Sequence, residues 1–330
     1  MVLGHTACPW FIHDFIYLFH MPLFFVLSGY FFHEITEIKD LKDYYIRKIK
    51  GLWKPYVKWS LFFLFIHNSL VGLGWHNSEY YSAEILTKKA IQCFFTLTGQ
   101  EPELGGFWFV QILFYSLVLM AVISYISHKM DIGILPQSII LFFFAVLFLN
   151  LVPNIKSIFG MFFGTFFIVM GMFWRKFESS AFKEKNIWIV ALLPILLMCT
   201  MFKYSTEFLL VNSTSIFSFT VISLLGCSFF LIVSKVIELK TYYVKRCLIW
   251  IGNRTMTILA LHFSAFHLLN VIYCSIFPSH IDMLYIYQIP GLWPIYFIIG
   301  LVVPLLFSHF YDVAFCYITQ KVRKRKTKGY

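Results

Sequence analysis

Histidines carry the chemistry that this sequence can do. His20 sits in a long apolar run, Phe15–Phe32, whose core reads FHMPLFFVLSGYFF. The run also holds Pro22 and a small polar pair, Ser28-Gly29. An ionisable side chain inside an apolar segment is costly and marks a functional position by default. Proline and glycine persist there only where neighbouring helices or a cavity satisfy the backbone. His5 lies just upstream in Val2-Leu3-Gly4-His5, and His262 closes the apolar stretch LIWIGNRTMTILALHF that begins at Leu248. Imidazole exchanges protons near neutral pH, so such histidines suit general acid–base work. A second group is cationic. Arg47, Lys50 and Lys54 recur at i, i+3 and i+7, which puts them on one stripe of a helix, a shape that can hold phosphates. A basic helix that only sets membrane topology has the same spacing.

The elements that must position these residues are membrane helices. Of 330 residues, 59% are hydrophobic and 13% charged, against about 25% charged in soluble domains. Mean hydropathy is +0.75. A span needs about 20 apolar residues, and runs of that kind fall at 15–35, 56–75, 107–128, 134–153, 158–174, 187–203, 208–234, 247–273 and 292–314. The expected fold is therefore all-α, a polytopic transmembrane bundle of nine spans. If the spans alternate and 36–58 is cytosolic, 22 of the 27 Lys and Arg fall on the cytosolic side, as the positive-inside rule demands. The +11 charge thus reflects topology rather than nucleic acid, and the C-terminus is predicted cytosolic. Residues 1–320 read as one domain, followed by a basic tail, 321–330, suited to anionic lipid. Within 36–58, apolar residues at three- and four-residue spacing predict an amphipathic helix on the cytosolic face. Pro55 is expected to interrupt helix geometry at Lys54. Seven cysteines are scattered without a CxxC or Cys/His cluster, which gives no metal site or disulfide framework.

Four motifs carry a resemblance. FHMPLFFVLSGYFF, the basic pair Arg47/Lys50 ahead of Pro55-Tyr56, the helix start FWFVQILF at 107–114, and Gly252-Asn253-x-Thr255 leading to His262 together resemble the acyltransferase 3 family of membrane enzymes, in its fucose-4-O-acetylase-like branch. The match runs along essentially the whole chain. The resemblance implies an O-acyltransferase of the plasma (inner) membrane, moving an acetyl or other acyl group from acetyl-CoA or another acyl-CoA to a carbohydrate hydroxyl of a surface polysaccharide or lipid-linked sugar. It implies His5 as general base with His20 as partner, Arg47, Lys50 and Lys54 as cofactor-binding cations, and Ser28, Trp108, Asn253 and His262 as substrate contacts. Lys50 stands where the family has Arg, so it keeps the charge but not the bidentate geometry. Val2–His5 looks like the end of a first helix whose beginning is missing, an N-terminal stub. Trp108 is equally an interface anchor, and His262 equally a hydrogen-bonding partner between helices. A transporter or flippase for a glycan or small molecule is the competing class, because membrane histidines and broken helices suit it too. No paired half-repeats favour it.

Overall fold

The computed structural model describes residues 1–75, 77–181, 207–278, 284–285, 288–289 and 291–327. Among them the chain is helical, without strands. A 3₁₀ turn, Val2–His5, precedes α1 (Trp10–Tyr17) and α2 (His20–Tyr30). Then come α3 (Ile38–Lys48), α4 (Lys54–Gly72), α5 (Ala83–Phe95) and a 3₁₀ turn, Pro102–Leu104. The remainder is α6 (Trp108–Met130), α7 (Ile134–Leu151), α8 (Lys156–Ala181), α9 (Ile216–Lys240), α10 (Tyr242–Gly252), α11 (Thr255–Ile276) and α12 (Trp293–Thr327). Seven stretches among the described residues are long and apolar enough to cross a membrane.

The expected spans at 107–128, 134–153, 158–174 and 292–314 appear as α6, α7, α8 and the first part of α12, which continues as helix past residue 320 to Thr327. Others shift. The run expected at 15–35 is Trp10–Tyr30, broken at Leu18-Phe19. Pro22 explains the break: it has no N–H to give the Leu18 carbonyl, which instead accepts the Ser223 hydroxyl of α9 at 2.6 Å. The span expected at 208–234 starts only at Ile216. The one expected at 247–273 divides at Asn253-Arg254, because Arg254 turns out of the apolar layer to bridge Asp312 at 2.8 Å. That leaves α10 with no buried residue. The segment 56–75 forms α4, about 28 Å long, which carries Lys54, Lys58 and buried Ser60 and His67 and is not among the seven apolar stretches. The span expected at 187–203 lies outside the described residues.

The amphipathic helix forms as α3, but Pro55 does not end it. Lys54 keeps α geometry, and the chain passes from α3 to α4 through a π-helical turn, Ile49–Trp53. Such a wider turn accommodates a proline within a helical run.

Among the described residues two apolar clusters form the core. The larger joins α2, α6, α8 and α9 through side chains such as Phe25, Met120, Phe167 and Phe219. The smaller joins Val2 with Phe263 and Phe266 of α11 and Tyr296 of α12. The closest helix contact is α2 on α8. A Cβ on Gly29 would lie 1.8 Å from the Ile168 carbonyl oxygen, and one on Gly171 2.0 Å from that of Val26. Only glycine permits this approach, the usual packing device in membranes. It fixes α2, and with it His20.

Candidate active site

The 3₁₀ turn packs its Val2 into the smaller cluster while α2 belongs to the larger one. Where the two meet is a cavity of about 130 Å³ lined by His5, Tyr17, His20, Gly106, Trp108 and Glu207. At about 30 Å³ per water, this is room for a small polar group and an acyl carbonyl.

Tyr17 stands between the two predicted histidines. Its ring is edge-on to His20 at 4.6 Å and to His5 at 6.5 Å. His20 Nδ1 lies 2.9 Å from the Ile16 carbonyl oxygen, which can only accept, so Nδ1 carries the proton and Nε2 the lone pair. His5 is held by its backbone, whose carbonyl accepts a hydrogen bond from Gln288 Nε2. Burial, with smaller contributions from the Met1 ammonium and His13, pulls the His5 imidazole down to about 4. At neutral pH it is an uncharged base.

The His262 ring lies beside that of His5, with ring centroids 5.5 Å apart. It is fully buried. Its Nδ1 lies 3.1 and 3.0 Å from the carbonyl oxygens of Ile258 and Leu259, so Nδ1 is the donor. Among the described residues, Nε2 is left as a buried acceptor with no hydrogen-bond partner. An unpaired buried group of this kind costs about 1–3 kcal/mol.

The loop that leads into α6 presses on this site. A Cβ on Gly106 would meet Leu259 at 2.8 Å and His262 at 3.8 Å, so the loop backbone lies flat on α11. Glu101 anchors that loop. It is buried, with its carboxylate 2.7 Å from His67 Nδ1 and 2.9 Å from Lys89 Nζ, while His67 Nε2 faces the Glu79 carbonyl at 3.0 Å. His13 Nδ1 and the carboxylate of Asp14, adjacent in sequence, are 3.0 Å apart, and His13 stacks on Tyr17.

The predicted cations do not form one shelf. Arg47 lines a cavity of about 640 Å³ with Ser28, Asp40, Tyr44 and Lys48. Lys50 and Lys54 line a separate crevice of about 710 Å³ with Lys58. The i, i+3, i+7 stripe assumed a continuous α-helix, and the π turn at Ile49–Trp53 changes the register between Arg47 and Lys54. Burial and the neighbouring Arg47 lower the Lys48 ammonium from its ordinary value. Among the described residues the Tyr44 hydroxyl, buried in this cavity, has no hydrogen-bond partner.

Of the predicted site residues, His5, His20, Trp108 and His262 therefore converge at one end of α2. Ser28 lies at its other end with Arg47, its hydroxyl bonded to the Phe24 carbonyl at 2.8 Å. Asn253 is exposed at the α10–α11 joint and lines none of these cavities. Sequence reasoning missed Tyr17, Glu207, Lys48 and the Glu101 anchor. Tyr17 was reachable, three residues before His20 on the same face; Glu207 left no signal.

A family model described as an acyltransferase domain matches residues 1–309. No curated protein matches the chain, and no solved structure does.

Proposed function

The chain belongs to the acyltransferase 3 family and is a membrane acyltransferase; on that premise we propose that it moves an acetyl group from acetyl-CoA to a carbohydrate hydroxyl, with His5 as general base. The observation that carries this reading is the pairing of neutral His5 with the unpartnered Nε2 of His262 behind it. His262 is then a positioning residue. In the reacting complex its lone pair accepts the N–H of one His5 nitrogen, a bond the structure does not itself hold, which turns the other nitrogen, with its lone pair, toward the acceptor. His5 removes the hydroxyl proton as the oxygen attacks the thioester carbonyl carbon. The C–S bond breaks, and the proton leaves with the thiolate as the CoA thiol. His20 Nε2, on the opposite cavity wall, orients the acceptor. Trp108 supplies a flat apolar wall of the kind that sugars stack on.

The CoA phosphates fit the Arg47 cavity, where Arg47 and Lys48 supply charge and the orphaned Tyr44 hydroxyl a donor. His20 and Ser28 are eight positions apart on one face of α2, or about 12 Å, with Phe24 between them. Phe24 packs on Phe109 at 5.0 Å, so these rings separate donor and acceptor sides. In this reading the basic end and the C-terminus are cytosolic, the histidine cavity opens outward, the membrane is the plasma (inner) membrane, and the acceptor belongs to a surface polysaccharide or its lipid-linked precursor.

The test is transfer of radiolabel from acetyl-CoA to cell-surface glycan by the purified, reconstituted chain. Transfer by wild type and its loss in His5→Ala, with CoA binding retained, is the expected result. A chain that binds no CoA and transfers no label overturns the reading.

A further inference from the structure

Lys50 and Lys54 are left outside the donor cavity by the π turn, and the crevice they line has a distinct chemistry. It runs between α4 on one side and α11 and α12 on the other. Lys50, Lys54 and Lys58 stand one turn apart at one end of it. Among the described residues none of the three makes an ion pair, and Lys58 Nζ rests 4.9 Å from the centre of the Tyr311 ring. Among the described residues the lining holds no acidic side chain, and Asp312, next in sequence to the lining Tyr311, is engaged by Arg254. Beyond the lysines the walls turn apolar: Phe62 of α4 and Phe307 of α12 are 48% and 47% exposed, and Phe307 lies in a stretch long and apolar enough to cross a membrane. Three cations at the membrane boundary, continuous with an apolar groove that opens sideways, are complementary to one kind of molecule.

We propose that this crevice binds an anionic phospholipid of the adjoining leaflet, with the lysine ammonium groups on its phosphate and an acyl chain laid along Phe62 and Phe307. A volume of about 710 Å³ holds a headgroup and the upper part of a chain. The amides and adenosine of CoA would lose hydrogen bonds in so apolar a groove, whereas a lipid chain loses none. The site depends on the chain lying in a membrane and not on acyl transfer, so it stands or falls separately from the reaction proposed above.

The full chain, purified from membranes into nanodiscs of phosphatidylcholine with or without phosphatidylglycerol, provides the test. Retained lipids are read by native mass spectrometry after release. Wild type and Arg47→Gln are expected to retain phosphatidylglycerol over phosphatidylcholine. Lys50→Gln/Lys54→Gln/Lys58→Gln is expected to lose that preference. A second readout needs no lysine variant: phosphatidylglycerol with brominated chains should quench wild-type fluorescence more than that of Trp59→Phe, since Trp59 lines the groove. Equal retention of both lipids by wild type, undiminished preference in the triple variant, equal quenching in Trp59→Phe, or displacement of the lipid by excess CoA would each overturn the proposal.

Discussion

The two ends of α2 are built on opposite principles. Around His20 the cavity is small and its side chains are buried or half-buried, so the His5 imidazole stays uncharged and one acceptor nitrogen, on His262, is left without a partner among the described residues. Around Ser28 the cavity is about five times larger, and its residues are charged and partly open to solvent. Proton removal needs a base that is not already protonated and a place from which water is largely excluded. Holding a phosphorylated cofactor needs charge that solvent can reach. One short helix separates the two requirements, and the glycine contact of α2 with α8 keeps their spacing fixed.

The sharpest way to break this comparison is to remove the base. His5→Ala should lower acyl transfer by about 10²–10⁴-fold and leave CoA affinity unchanged; a fall in CoA affinity of similar size would mean that the two ends are not separate. Next comes the anchor of the histidine end. Glu101→Ala strips a buried carboxylate from His67 and Lys89, and breaking such a pair costs about 3–5 kcal/mol. The variant should unfold at a clearly lower temperature in detergent, and an unchanged melting curve would show that the loop is held by something else. At the other end, Arg47→Ala should weaken CoA binding by about 1.5–3 kcal/mol, the worth of a charged hydrogen bond, with kcat little changed at saturating donor. Calorimetric titration of CoA checks it. The smallest effect concerns pH. A base whose pKa is lowered to about 4 is protonated, and inactive, only below that value. The acid limb of kcat/KM should therefore fall near pH 4, whereas an acid limb near 6.5 would place a solvated histidine in the role.

Much of this was legible in the sequence, unevenly. The helices α6, α7, α8 and α12 were visible because they are uninterrupted apolar runs of spanning length. The span expected at 247–273 was misplaced although its correction was written in it: Arg254 cannot stay in hydrocarbon, and the chain breaks where it leaves. Three features were invisible for a different reason. The π turn that divides Arg47 from Lys50 and Lys54 is a change of helical register, and spacing rules assume that register is constant. Asn253 followed its motif but sits at an exposed joint, since a motif gives order along the chain and not convergence in space. Glu101 was one of several loop carboxylates until folding buried it.

What the sequence by itself determined is the environment: a membrane, an all-helical fold, and a small set of histidines that hydrocarbon would not tolerate without a use. These follow from transfer free energies, which act residue by residue and need no knowledge of neighbours. Tertiary structure decided which of those residues meet. His5 and His262 come from opposite ends of the chain, and it takes the seating of Val2 against α11 and α12, together with the loop held by Glu101, to bring their rings within 5.5 Å. The orphaned nitrogen of His262 exists only in that packing, because a lone pair is unsatisfied only once the surrounding helices have excluded water from it.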